Sequence, residues 1–140
     1  MICEKAVVYL LNDSLAHYKM ASNSISMLRT YNHKIKVICL STSKLSFNSN
    51  LDVEIIPIEN IDERYFLTNR IHLGNIKSDC VLYLDSDTFI FDDIEKIIDS
   101  YDSELSANQN TWMKKFDLNF EQFEPMKPIN GGVLLFKNNS

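Results

Sequence analysis

The stretch Val81-Leu82-Tyr83-Leu84-Asp85-Ser86-Asp87-Thr88 does most to constrain the fold. A short apolar run bounded by polar residues reads as a buried strand. This one runs straight into Asp-Ser-Asp, and charge at the edge of a core is costly unless something compensates it. Side chains alternate along a strand, which predicts Asp85 and Asp87 on one side and Ser86 on the other. Two adjacent carboxylates repel each other unless a cation or a proton lies between them. One reading makes the pair a divalent-metal site at the carboxyl end of a central strand, where open α/β sheets bind ligands. The other makes it a polar strand exit that caps the next helix.

The other apolar runs supply the rest of a sheet. Residues 6–11 (AVVYLL), 35–40 (IKVICL), 53–58 (VEIIPI) and 80–84 read as four successive strands, and 133–136 (VLLF) as a last one. Pro57 suits an edge strand or a strand end. Between them, 15–31 and 61–76 carry apolar residues near helical spacing, with Gly74 weakening the second. A further helix opens at Asp92, with Glu95 in capping-box position and Ile94, Ile97 and Ile98 facing inward. Residues 104–107 read as a short strand. Residues 108–127, with Trp112, Phe116, Phe120 and Phe123, read as a short helix plus loop, its aromatics lining a core or an acceptor-side wall. Strands alternating with helices predict an α/β fold with a mostly parallel sheet. At 140 residues the chain is expected to form one domain, 1–140.

Charge and cysteine content narrow the partners. The formal net charge is −5, which disfavours a nucleic-acid backbone. A phosphate-bearing ligand then requires local cations or a bound metal. No apolar run approaches the roughly 20 residues of a membrane span, and no signal-peptide core follows Met1. The three cysteines, Cys3, Cys39 and Cys80, show no zinc spacing. Cys39 and Cys80 sit in strand-like runs as small hydrophobes. An odd count without a secretion signal predicts a reducing, cytoplasmic setting.

Several polar residues are placed to carry chemistry. The paired carboxylates Asp85 and Asp87 are hard oxygen ligands suited to Mg²⁺ or Mn²⁺. A phosphatase of the haloacid-dehalogenase type needs DxDxT on its first strand. Here Thr88 falls one residue early and three strands precede, which excludes it. Asn12 and Tyr18, after the first strand, offer an amide for a base edge and a ring to stack on it. Alternatively Asn12 or Ser14 caps the helix and Tyr18 packs against it. Arg70 is placed either to reach a diphosphate or to sit solvated on a helix. Asn130-Gly131-Gly132 lets a backbone approach a ligand and offers an amide to sugar hydroxyls, or else forms a turn before an edge strand. His17, His33 and His72 share no spacing and read as structural or solvated. No nucleophile elbow and no Gly-rich phosphate loop is present.

In order, AVVYLLND, Tyr18, KVICLST, TNRIHL, VLYLDSDTFIFDDI and PINGGVLLF resemble the nucleotide-sugar glycosyltransferases of GT-A fold. The likeness is greatest to family 8, the glycogenin and lipopolysaccharide galactosyl- and glucosyltransferase group. It runs from Ala6 to Phe136. It implies a Rossmann-like nucleotide-diphospho-sugar transferase fold, with the sheet flanked by helices. It also implies transfer of a hexosyl group from a UDP-sugar to a saccharide, glycan or protein acceptor, with retention at the anomeric carbon. By the same resemblance, Leu11, Asn12 and Tyr18 contact the uridine and Arg70 the diphosphate or sugar. Asp85 and Asp87 hold Mn²⁺ (or Mg²⁺), Ser86 lies against the ribose, and Asn130 and Gly131 lie beside the donor sugar. Family members continue past the last strand, where a histidine completes the metal site. With the chain ending at Ser140, the expectation is a donor half-site without that C-terminal part. The alternative is a nucleotide-sugar-binding relic without catalysis. The sequence leaves homo-oligomerisation open.

Overall fold

A computed structural model describes residues 3–62, 64–101, 105–109 and 129–137. The apolar runs become one six-stranded sheet of order β3-β2-β1-β4-β6-β5. β1 (Lys5–Leu11), β2 (Lys36–Ser41), β3 (Val53–Pro57) and β4 (Cys80–Leu84) form its parallel part. β6 (Ile129–Lys137) runs antiparallel to both β4 and β5 (Leu105–Gln109). The expected α/β fold with a mostly parallel sheet is what forms. Pro57 ends the edge strand β3, where its missing N–H breaks no ladder.

β1 is buried on both faces, which explains a continuous apolar run in place of alternation. Val7, Tyr9 and Leu11 pack against Ala21, Ile25 and Leu28 of α1 (Leu15–Tyr31) and Ile94 and Ile98 of α2 (Ile94–Ser100). Ala6, Val8 and Leu10 face the other way, onto Phe66 and Leu73 of a 3₁₀ segment, Phe66–Asn75, and onto Ile76 just after it. Burying each large apolar side chain on these faces contributes about 1.5–3 kcal/mol. Two hydroxyls buried in the core pair with each other: Tyr9 Oη and Ser24 Oγ lie 2.9 Å apart. The Arg29 guanidinium, in the last turn of α1, donates to the carbonyls of Leu51, Ile35 and Asp52 at 2.7–2.8 Å. It thereby ties that helix to the lead-in of β2 and to the start of β3. Asn32, capping α1, accepts from the Ile94 N–H at 2.9 Å and donates to Asp93, joining the two helices.

Five expectations are corrected. The helix expected over 61–76 is a shorter 3₁₀ segment, and Leu67 and Ile71 are 57% and 71% exposed. Asn69, fully buried, is the reason the start is displaced: its Oδ1 accepts from Ile61 N–H at 3.0 Å and its amide donates to Asn60 at 2.7 Å, holding 60–61 as a turn. The last helix is capped by Asp93, whose carboxylate accepts from Glu95 N–H at 2.9 Å, in place of an Asp92–Glu95 box. Ile97 is 47% exposed on that helix, so only Ile94 and Ile98 face the core. Asn108 and Gln109 belong to β5, and 110–128, with the four aromatics of the expected helix and loop, lie outside the described residues. β6 begins at Ile129, so Asn130-Gly131-Gly132 is strand. Among the described residues no helix is long and apolar enough to cross a membrane.

The buried hydroxyl and thiol groups predict alkaline lability. Burial pushes the Tyr9 phenol up to about 12 from 10.0, against the Ser24 hydrogen bond, and the Cys39 thiol to about 12 from 9.0. The folded chain then holds protons that the unfolded chain has released between about pH 9 and 12. Stability contributed by these groups is present below pH 9 and falls as pH rises through that window. The urea midpoint is expected to drop steadily from pH 8.5 to pH 11, by an amount worth a few kcal/mol. A flat midpoint across that range would contradict the burial of these two side chains.

Candidate functional site

The strand order reverses between β1 and β4. From β1 the chain steps to β2 and β3 on one side, then returns to place β4 on the other. Ligands of open α/β sheets bind at the carboxyl ends of strands at such a point. β4 delivers Asp85 and Asp87 there. Its ladder with β1 ends at Tyr9↔Leu84, and beyond it Asp85 N–H donates to Gly132 C=O of β6 at 2.8 Å. Nothing on the β1 side holds 86–87 extended, and Thr88 N–H closes a turn onto Asp85 C=O at 3.1 Å. The strand alternation expected for Asp85-Ser86-Asp87 is therefore corrected: a turn brings all three residues to the wall of one pocket of about 220 Å³.

Arg70 enters the same pocket from the 3₁₀ segment. Its Nη2 donates to Asp85 Oδ1 at 3.2 Å, and Tyr83 Oη donates to the same oxygen at 2.6 Å. The guanidinium carbon lies 5.1 Å from the Tyr83 ring centroid, a cation–π contact. Burial raises the Tyr83 phenol well above its ordinary range, and its bond to Asp85 raises it further, so it remains a donor. Burial works against the Arg70 charge, but Tyr83 and Asp85 outweigh it and hold the group above its usual value. Arg70 Nε is buried without an acceptor among the described residues, a donor left over in a pocket that otherwise spends its donors on Asp85.

The two carboxylates keep open coordination sites. Asp85 Oδ2 accepts no hydrogen bond from a described residue, and exposed Asp87 has no hydrogen bond or ion pair with one. Two accessible hard oxygens on one turn fit Mg²⁺ or Mn²⁺, which take their remaining ligands from water and phosphates. Among the described residues no group of three or more His, Cys, Asp or Glu side chains is placed to hold a metal.

The remaining expected residues fall around this centre. Leu11 is fully buried, and its carbonyl accepts from Thr42 N–H at 3.2 Å. Asn12 Oδ1 accepts from Ser14 N–H at 3.0 Å and lies 3.1 Å from His17 Nδ1, leaving its amide NH₂. Tyr18 lines a second pocket of about 310 Å³ with Asp13, Ser14, Lys44 and Ser46. Its hydroxyl donates to Ser46 C=O at 2.7 Å and its ring lies 5.1 Å from that of Phe47. His17 borders the first pocket and Tyr18 the second, so the amino end of α1 adjoins both. Its unpaired N–H groups and positive dipole end suit an anion. The pairing of β6 with β4 ends at Leu84↔Val133 and the Asp85 N–H bond to Gly132 C=O, and Asn130 and Gly131 precede that point on β6.

Sequence reasoning missed His17, Met20 and Phe66 as pocket walls, and Lys44 as a cation of the second pocket. His17 had a weak signal, three residues past the Ser14 cap at a strand-to-helix junction. Lys44 had none, lying in a Ser/Thr/Asn-rich loop.

No family model matches the chain, and no curated protein sequence matches it. Solved structures do. The galactosyltransferase LgtC, in complex with donor and acceptor sugar analogues, superimposes with a TM-score of 0.71 at 20% identity over 94% of this chain and 57% of its own. The glycosyltransferase GlyE of Streptococcus pneumoniae TIGR4 gives 0.63 at 20% identity, over 95% of this chain and 34% of its own. S. aureus TarS 1-349 in complex with UDP gives 0.53 at 14% identity, over 76% and 35%. The chain has the GT-A glycosyltransferase fold. It spans little more than half the length of LgtC and about a third of GlyE.

Proposed function

We propose that this chain is the donor-binding part of a metal-assisted glycosyltransferase. It would move a hexosyl group from a UDP-sugar to a saccharide, glycan or protein acceptor, as a family 8 enzyme acting with retention. The observation that carries this reading is the Asp85–Arg70–Asp87 arrangement at the strand-order reversal. Two carboxylates and one guanidinium leave that pocket net negative, which repels a diphosphate. A divalent cation held by Asp85 and Asp87 reverses the balance, and when bound it offsets the charge that gathers on the departing UDP. LgtC with its sugar analogues and TarS with UDP, both of this fold, add support.

Each residue then has a task. Arg70 turns from Asp85 toward the diphosphate, where its leftover Nε–H finds an acceptor. Tyr83 keeps Asp85 oriented through its hydroxyl. The uracil enters the pocket walled by Tyr18, with Asn12 at its edge and the Leu11 backbone beneath. Ser86 lies against the ribose, and Asn130 and Gly131 flank the sugar. The amino end of α1, between the two pockets, faces the phosphates.

UDP with Mn²⁺ is expected to raise the melting temperature by several degrees at saturating ligand, with EDTA reversing the shift. No shift at millimolar UDP and Mn²⁺ would sink the proposal. A second reading, nucleotide-sugar binding without transfer, draws on the absence of a third metal ligand among the described residues. It predicts the same thermal shift with no sugar released or transferred, and product formation from a UDP-sugar excludes it.

A further inference from the structure

A second reactive cluster lies at the other end of β4. The Sγ atoms of Cys3 and Cys80 are 3.0 Å apart, although the residues are 77 positions apart in sequence. Two hydrogen bonds hold the partners together, one between backbones and one from a backbone to a side chain. Cys80 N–H donates to Glu4 C=O at 3.0 Å, and Glu4 N–H donates to the Asp79 carboxylate at 2.7 Å. The bonds join Cys80 and its neighbour Asp79 to Glu4, the neighbour of Cys3, so little motion is needed to close the remaining gap. The two thiols also differ in access: Cys3 is exposed and Cys80 buried. Burial pushes the Cys80 thiol up to about 11, aided by its contact with Cys3, so it stays protonated at neutral pH. Lys137 pairs with Cys80 across the sheet and is the nearby cation that favours its thiolate. The third cysteine, Cys39, is fully buried on β2 in the core and apart from this pair.

We propose that Cys3 and Cys80 are an oxidisable pair, closed to an intrachain disulfide by a peroxide. Exposed Cys3 reacts first. Its thiolate attacks the peroxide, the O–O bond breaks, and Cys3 becomes a sulfenic acid while the leaving oxygen departs as water or alcohol with the proton lost by the thiol. Cys80 sulfur then attacks the Cys3 sulfur. The S–O bond breaks, and the hydroxyl leaves as water with the Cys80 proton. Two thiols are oxidised and one peroxide is reduced. The product pins the segment before β1 to the start of β4 and encloses β1 to β3 in one covalent loop. A reducing compartment holds the open form, so the pair reports oxidation, and it does so independently of any nucleotide-sugar chemistry.

The full chain is treated with hydrogen peroxide, denatured, and its free thiols are titrated and mapped. Expected is a fall from three thiols to one, a Cys3–Cys80 linked peptide, no mass gain, and a melting temperature raised by about 10 °C that dithiothreitol reverses. Cys39→Ser keeps the response. Cys3→Ser, at an exposed position that leaves the fold intact, abolishes it. Three thiols remaining, oxygen added to Cys3 alone, or dimers linked through Cys3 would each overturn the proposal.

Discussion

Asp87→Asn is expected to abolish metal-dependent UDP binding while leaving the thermal transition of the free protein in place. Asp87 is exposed and has no hydrogen bond or ion pair with a described residue, so the fold loses nothing when its charge is removed. Surface changes of that kind stay within about 0.5 kcal/mol. The site loses much more. An amide oxygen is a poorer ligand for a hard divalent cation than a carboxylate, and one of only two carboxylates on the turn is gone. Even outer-shell changes at metal sites weaken binding by about 10–100-fold, so losing a ligand is expected to cost at least about 100-fold. Titration calorimetry with UDP, with and without Mn²⁺, measures this. UDP affinity that is independent of metal, or unchanged by the substitution, would restore the reading of Asp85-Ser86-Asp87 as a polar strand exit. Asp85→Asn is the poorer test, because Asp85 also accepts from Tyr83 and Arg70 and its loss strands two donors.

The second large effect concerns Arg70, and its two halves have opposite signs. Arg70→Met is expected to weaken UDP binding about 10–100-fold, the loss of a charge-assisted hydrogen-bonding group. Mn²⁺ binding without nucleotide is expected to tighten, because Asp85 Oδ1 no longer shares its charge with a guanidinium 3.2 Å away. In the free protein Arg70 serves as the counter-ion of Asp85, and under the proposed function the diphosphate draws it off. Metal and nucleotide are therefore expected to bind cooperatively in the native chain and less so in the variant. Methionine keeps the bulk of the half-buried arginine stem while removing the guanidinium that lies over the Tyr83 ring. Arg70→Lys is not expected to rescue, since a compact ammonium cannot reach Asp85 and a phosphate with a planar fork. A parallel fall in both affinities, with a lower melting temperature, would instead assign Arg70 a purely structural role.

Much of this site was legible in the chain because it depends on local patterns. A run buried on both faces must be continuously apolar, which is why AVVYLL and CVLYL announce β1 and β4. The polar break Asn12-Asp13-Ser14 supplies the cap of α1, whose bounds agree with those read from spacing. Asp85 and Asp87 declare themselves because carboxylates directly after a buried strand need a partner. Spacing was silent or misleading where the partner is remote. It left Arg70 evenly between a ligand and a solvated side chain, and the 3₁₀ segment that delivers it read as a regular helix. Asn60 and Asn69 override the periodicity there by holding the preceding turn.

The patterns in the chain place the strand segments, the burial of β1 and β4 on both faces, and two carboxylates at the end of a buried strand, and they misplace the exposed sides of the 3₁₀ segment and of the last helix. The assembled fold alone sets β4 beside β1 and returns β6 antiparallel, with Gly132 C=O on Asp85 N–H. It also turned a presumed alternation into a turn, gave Asp85 its two donors, and set Cys3 against Cys80. The reason is physical. Periodicity encodes how each element meets the core, whereas the choice of neighbour is made by backbone hydrogen bonds and packing between segments tens of residues apart. That choice, made at the reversal of strand order, converts two carboxylates into a site.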